Sequence, residues 1–241
     1  MLWSSGIKFK LMNDAIVLHS GGLDSTVCLF WAKERFDKVI ALNITYGQKH
    51  YMESFISSRL CEEFGIERIS LDISGLSHLF QTSSLVGDKE IQEKVYPEKG
   101  IISTYVPLRN TLFSVIAGIV AERLDITNIV LGIHASDSPN YPDTRPEWAS
   151  SVETVLNTGS KFSFENKRII VHTPLVSLSK KDIVIMGNKL GVPFELTWSC
   201  YSPIDLGNAV KPCMNCPACN ARKKAFEEAG IQDPLSYFRF E

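Results

Sequence analysis

Three groups of residues have types and spacings that could do chemistry. The first is Ser20-Gly21-Gly22-Leu23-Asp24-Ser25, which follows the apolar run Ala15-Ile16-Val17-Leu18 and His19. Two glycines allow a tight turn and a close backbone approach to an anion, with no Cβ in the way. A helix starting there would offer unpaired N–H groups and a positive dipole end. Ser20 and Ser25 add hydroxyl donors, so the hexapeptide reads as a phosphate cradle. It is not a Walker loop, because no G-x-x-x-x-G-K-[ST] is present. A carboxylate at Asp24 would repel bound phosphates unless a cation lay between, which argues for Mg²⁺. The bland alternative is a glycine-rich turn capped by Asp24.

The second group is Cys200, Cys213, Cys216 and Cys219, spaced C-x12-C-x2-C-x2-C. Four thiolates in one short segment suit tetrahedral Zn²⁺ and leave no open coordination position, so the site reads as structural. An iron–sulfur cluster is the competing reading, since ferredoxins share C-x2-C-x2-C. Zinc is preferred because nothing else in the chain suggests redox chemistry. Cys28 and Cys61 fall on apolar helical faces and are expected in the core.

The third group is a set of polar segments expected at strand ends. Tyr46-Gly47-Gln48-Lys49-His50 follows the second apolar run and could face a base or ribose. Arg109, at the start of a helix, puts a cation where the dipole disfavours it, which hints at an anionic ligand. The stiff loop 132–147 carries Asp137, Tyr141, Asp143 and Arg145 among three prolines. A carboxylate there could accept from a guanine-like edge, and Tyr141 could stack on a ring; Asp143 could instead cap a helix with Arg145 paired to it. Beyond the fifth run, a lysine of Lys180-Lys181 could neutralise leaving-group charge.

The elements that must hold these groups alternate. Strands are expected at 14–19, 38–44, 66–73, 128–133 and 168–172. Helices are expected at 25–35, 50–64, 108–124, 145–156, 179–190 and 218–229. Ser179 and Asp182 form a helix-start signature. Such alternation predicts an α/β fold, a parallel five-stranded sheet with helices on both faces, and a site beyond the strands' carboxyl ends. The loops after residues 19, 44, 133 and 172 should line it. Residues 74–105 show no clean period, as a lid, a binding loop or a disordered insert would. Residues 1–11 read as a short, disordered extension.

Composition narrows the classes. With 241 residues, 44% hydrophobic and 22% charged, the chain is globular and large enough to fold without staples. The net charge of −2 lacks the basic excess of a phosphate-gripping nucleic-acid binder. No apolar run has membrane-span or signal-peptide length, so a cytoplasmic protein without membrane association is expected.

The loop Ser20 to Ser25 resembles the pyrophosphate loop of the N-type ATP pyrophosphatases. The remaining segments resemble one family within them, the 7-cyano-7-deazaguanine synthases. These are Tyr46-Gly47-Gln48 with His50, Tyr105-Val106-Pro107 with Arg109-Asn110, and Tyr141-Pro142-Asp143 with Arg145. They continue with His172-Thr173-Pro174-Leu175, Ser179-Lys180, Thr197-Trp198-Ser199-Cys200-Tyr201 and the final cysteines. The loop departs from the family's Ser-Gly-Tyr-Pro-Asp-Cys-Arg, with Asn140 for the glycine and Thr144 for the cysteine, which argues against a nucleophile or metal ligand at 144.

The resemblance implies an adenine nucleotide alpha hydrolase-like (HUP type) domain over 12–198 and a zinc-binding segment over 199–241. It implies an ATP-dependent C–N ligase that turns 7-carboxy-7-deazaguanine and ammonia into the nitrile through adenylated intermediates, in queuosine or 7-deazapurine biosynthesis. Asp24, Ser20 and Lys180 would be catalytic. His19, Ser20, Gly21, Gly22, Leu23, Asp24, Ser25, Tyr46, Gln48 and Arg109 would bind ATP, and Asp137, Tyr141, Asp143 and Arg145 the deazapurine. ATP, Mg²⁺ and Zn²⁺ are the expected cofactors, and a homodimer the expected assembly, with no nucleic-acid partner. The rivals are a sulfur-transferring tRNA enzyme, which would need a reactive cysteine in the pocket, and a regulatory protein that binds ATP without turnover.

Overall fold

The computed structural model describes residues 13–49, 51–91, 94–235 and 238–239. The expected N-terminal extension and His50 lie outside the described residues. Five short strands form one sheet: β1 (Ala15–Leu18), β2 (Val39–Thr45), β3 (Glu67–Asp72), β4 (Asn128–Val130) and β5 (Ile170–His172). Their order is β3-β2-β1-β4-β5, and every neighbouring pair is parallel. The helices between them are α1 (Leu23–Lys33), α2 (Met52–Glu63), α3 (Arg109–Leu124), α4 (Pro146–Gly159) and α5 (Lys180–Lys189). After β5, α5 leads on to α6 (Pro217–Ala229).

Period-2 alternation along the strands feeds two cores. Val17 of β1 joins Val27 and Leu29 of α1, Ile183 of α5 and Phe226 of α6 on one face. Its neighbour Ile16 turns the other way, onto Ala117 and Ala121 of α3 and Val152 and Leu156 of α4. Strands buried on both faces read as continuous apolar runs, which is why β1 and β2 were legible. Cys28 and Cys61 sit in the first core, as their helical positions indicate. The signature at α5 is a complete capping box: Ser179 Oγ accepts from the Asp182 N–H at 3.2 Å, and the Asp182 carboxylate accepts from the Ser179 N–H at 3.2 Å.

Two regions differ from the periodicity reading. Residues 74–105 open with a 3-10 helix, Ser74–Phe80. Phe80 and Leu85 then pack with Tyr46 and Val106 into a further small core, so this connection is anchored by buried side chains without a helical or strand period. The C-terminal segment holds a three-stranded antiparallel sheet of β6 (Ile204–Asp205), β7 (Ala209–Lys211) and β8 (Phe238–Arg239). Strands of two or three residues are too short to show alternation. This segment is no separate body. Buried Arg222 of α6 ion-pairs with Asp233 at 2.7 Å and donates to the carbonyls of Thr197 and Phe194. No helix among the described residues is long and apolar enough to cross a membrane.

Candidate active site

Order β2-β1-β4 marks the switch point of the sheet, where the connections from neighbouring strands leave in opposite directions and open a crevice. A cavity of about 280 Å³ lies there, lined from the carboxyl ends of β1, β2 and β4 and by Lys180 at the start of α5. Three of the four expected loops reach it. The residues just after β5 do not: Leu175 is buried in the first core, and Lys180 arrives in their place.

The glycine loop is set by its own chemistry. Gly21 has φ +88°, and a Cβ there would lie 2.4 Å from the Glu53 carbonyl oxygen and 2.8 Å from the Ser57 nitrogen of α2. Only glycine fits. Ser25 Oγ donates to the Gly22 carbonyl at 3.1 Å and accepts from the Ser20 N–H at 3.2 Å, while the Gly22 N–H bonds Ser20 Oγ at 3.1 Å. The loop therefore enters α1 already shaped, with Ser20, Gly22, Leu23, Asp24 and Ser25 on the cavity wall. His19 fixes it from behind: its ring bridges Ser57 Oγ at 3.0 Å and Thr26 Oγ1 at 3.2 Å. Burial, with the nearby Arg68 cation, pulls the His19 pKa down to about 3, so the ring is neutral.

Asp24 meets Lys180 at the loop's mouth. Lys180 Nζ donates to Asp24 Oδ2 at 2.6 Å and lies 3.0 Å from His134 Nε2, which is 3.1 Å from Asp137 Oδ2. Burial alone would raise the Asp24 pKa, but the charges and hydrogen bonds of Lys180 and His134 outweigh it and hold the carboxyl well below the usual range. Its other oxygen, Oδ1, is buried with no hydrogen-bond partner among the described residues. An ionised carboxylate within the glycine loop, with one oxygen lacking a partner, suits a divalent cation. Of the two candidate lysines, Lys180 faces the cavity and Lys181 is exposed.

Tyr46, Gln48 and Arg109 line the opposite wall. Arg109 donates to the Tyr46 hydroxyl at 3.3 Å, and Gln48 Oε1 accepts from the Tyr46 N–H at 2.9 Å. Asp137 and Tyr141 also line the cavity. Tyr141 is held by Thr104 through their hydroxyls at 2.7 Å, with the Tyr96 ring 6.5 Å away. Asp143 and Arg145, expected on the substrate, do not line the cavity. The Asp143 carboxylate accepts from the Asn110 N–H in the first turn of α3 at 3.0 Å, and the exposed Arg145 points back to the Ser138 carbonyl at 3.4 Å. Asp143 thus caps α3 and not the helix that follows it. At the departures in this loop, Asn140 donates to the Pro97 and Gly100 carbonyls, and Thr144 Oγ1 to the Tyr141 carbonyl at 2.7 Å.

Sequence reasoning passed over His134, Tyr96 and Tyr201. His134 lies in the loop 132–147, and its signal is a histidine directly after a buried strand. Tyr201 directly follows Cys200 and could have been weighed as part of the site. Tyr96 carried no signal, being in the aperiodic insert; its hydroxyl meets that of Tyr201 at 3.0 Å.

The four C-terminal cysteines converge, all sulfurs within 4.8 Å of one another, and could hold a metal. Backbone N–H groups point at three of them: Cys213 N–H at Cys200 Sγ (3.2 Å), Cys216 N–H at Cys213 Sγ (3.3 Å) and Tyr201 N–H at Cys216 Sγ (3.5 Å). Donors aimed at sulfur favour thiolates, so the donor set suits a thiophilic ion. Among the described residues, none that lines the cavity is a cysteine.

A preshaped anion loop beside a carboxylate–lysine pair, at the switch point of a parallel five-stranded sheet, defines an α/β protein of the adenine nucleotide alpha hydrolase-like class. A solved 4-thiouridine synthetase, in complex with RNA and bound ATP, shares the fold: the TM-score is 0.50 at 18% identity, covering 90% of this chain and 50% of that one. The match becomes particular at the sequence level. The family model described as queuosine biosynthesis protein QueC matches residues 14–230, and the chain belongs to that enzyme family. The 7-cyano-7-deazaguanine synthase of Citrifermentans bemidjiense is 40% identical over 228 residues, 94% of this chain and 99% of that protein. The corresponding synthase of Thermoplasma acidophilum is 39% identical, covering 94% of this chain and 92% of its own.

Proposed function

We propose that this chain converts 7-carboxy-7-deazaguanine and ammonia into 7-cyano-7-deazaguanine, using two ATP and releasing AMP and pyrophosphate twice. The observation that carries the reading is the Asp24–Lys180 pair at the mouth of a loop built to hold phosphates, in a chain of this family.

A carboxylate oxygen is a poor leaving group, and adenylation makes it a good one. The substrate carboxylate attacks the α-phosphorus of ATP, and pyrophosphate leaves toward the glycine loop and the N-terminus of α1. Ammonia adds to the activated carbonyl, loses a proton, and AMP departs to leave the amide. The amide oxygen then attacks a second ATP and displaces its pyrophosphate; loss of AMP and of both nitrogen-bound protons gives the nitrile. Ser20 and the α1 N-terminus take up the growing charge on the leaving group, with Lys180 as the fixed cation beside them. Mg²⁺, held by Asp24, would screen the phosphates from that carboxylate. Arg109, Tyr46 and Gln48 take the rest of the nucleotide. Asp137 and Tyr141 take the deazapurine edge and face, while Asp143 and Arg145 act from behind by shaping the loop. Zn²⁺ on Cys200, Cys213, Cys216 and Cys219 would be structural.

Mass spectrometry of the protein mixed with ATP, Mg²⁺, ¹⁵N-ammonium and the carboxy-deazapurine tests this. The expected product is the nitrile carrying one ¹⁵N. Saturating substrates without nitrile or amide would leave an ATP-binding protein without turnover as the surviving reading.

A further inference from the structure

Trp198, just before the cysteine segment, joins that segment to the phosphate loop. Trp198 is fully buried, and its N–H donates to the Gly21 carbonyl at 3.0 Å, while Gly22 and Trp198 form an isolated parallel bridge. The indole Nε1–H of the same residue donates to the Cys200 carbonyl at 2.9 Å. Trp198 belongs to one core with Cys200, Cys216 and Cys219 and with Met52 and Ile56 of α2. Helix α2 is the wall against which Gly21 is pressed.

The stretch 197–200 is also pinned at both ends. At one end Arg222 donates to the Thr197 carbonyl at 3.1 Å and to its hydroxyl at 2.8 Å. At the other, Cys200 is a member of the sulfur cluster. Tyr201, next along, lines the cavity. A chain fixed at 197 and 200 has little freedom at 198, so the Gly21 carbonyl is offered a donor in one place. Releasing Cys200 frees one end, and the donor at Trp198 then samples many positions.

We propose that Trp198 is a positioning residue that couples the four-cysteine segment to the phosphate loop, so that a metal on the cysteines and a nucleotide on the loop stabilise each other. The proposal rests on reading the loop as the ATP site. Coupling of this kind is reciprocal: whatever factor the metal contributes to nucleotide affinity, the nucleotide contributes to metal retention. The cysteines then have a role in substrate binding although none of them lines the cavity.

The test uses the full, metal-loaded chain without the deazapurine, so that nothing turns over. Metal release to a chromogenic chelator is timed with and without a non-cleavable α,β-methylene analogue of ATP, whose binding is measured on the same sample by calorimetry. The analogue is expected to slow release about tenfold, and metal-stripped wild-type protein to bind it about tenfold more weakly. Trp198→Phe keeps the backbone donor and most of the ring but loses the indole N–H. It is expected to retain its metal and circular dichroism, to cut the protection to about threefold or less, and to raise the KM for ATP more than it lowers kcat.

Analogue binding with unchanged release would overturn the coupling and leave the loop assignment standing. No analogue binding by metal-loaded protein would overturn both. Full protection in Trp198→Phe would remove Trp198 from the connection. If that variant does not fold, equal affinity of metal-loaded and metal-stripped wild-type protein overturns the proposal by itself.

Discussion

Asp24 is held ionised where burial alone would favour the neutral acid, and the groups that hold it come from elements far apart in sequence: Lys180 from α5 and His134 from the loop after β4. A carboxylate kept charged beside a phosphate loop serves cation binding. Asp24→Asn keeps the shape and removes the charge; AMP formation is expected to fall by at least ~10²-fold, read in a coupled AMP assay. Its melting curve should shift by about 1–3 kcal/mol equivalent, since Lys180 loses its partner, with the fold retained. Loss of the fold would instead assign Asp24 to the scaffold.

His19 gives a second test at this scale. Its pKa is near 6.5 in an unfolded chain and about 3 in the native protein. Between those values the unfolded state holds a proton that the native state does not, so stability falls as pH falls through that window. The slope reaches up to ~1.4 kcal/mol per pH unit from this residue. Urea midpoints should drop from neutral pH toward pH 5, and His19→Gln, which can still bridge Ser57 and Thr26, should flatten that drop. Identical slopes would place the proton uptake elsewhere.

Elements decide which of these residues can meet. The β1–α1 turn was legible because every local requirement is written in adjacent residues: a buried apolar run, two glycines, a helix start. Gly21→Ala forces a left-handed φ and a clash with the α2 backbone at 2.4 Å. The expected loss is about 1–3 kcal/mol of stability, from denaturant melts, with little AMP formed by whatever remains folded. A variant as stable and active as wild type would show that α2 yields freely.

Asp143 stands outside the cavity lining for an instructive reason. Its residue type fits both a ligand contact and a helix cap, and only the packing of its loop beside α3, more than thirty residues earlier in the chain, selects the cap. The insert 74–105 hid its anchors for a related reason: Phe80, Leu85 and Tyr96 reach partners at 46, 106 and 201, with no repeat to betray them.

At the scale of the whole molecule, alternation indicates a parallel sheet with a site beyond the strands' carboxyl ends, whereas the order β3-β2-β1-β4-β5 that opens the crevice between β1 and β4 is settled by packing among distant segments. The tie between the C-terminal segment and the main body was not legible. The cysteine spacing announces a metal, yet nothing in it says that α6 continues into the first core through Ala225 and Phe226, or that Arg222 locks Thr197. Removing metal should therefore loosen more than a tail. A strong chelator is expected to lower the melting temperature of the entire chain in one transition, because the cysteine cluster shares its core with α2 and with Trp198, whose backbone bonds the loop. An unchanged main transition with a separate early one would show an independent segment. Elemental analysis should find zinc; iron with sulfide would replace the structural assignment.

The chemistry itself has one decisive readout, the bond of ATP that breaks. Phosphorus NMR of a reaction run to completion with ammonium and the carboxy-deazapurine should show pyrophosphate and AMP, two of each per nitrile formed. Signals of ADP and inorganic phosphate in their place would mean attack at the γ-phosphorus, and the assignment of the Ser20–Ser25 loop as the pyrophosphate holder would be wrong.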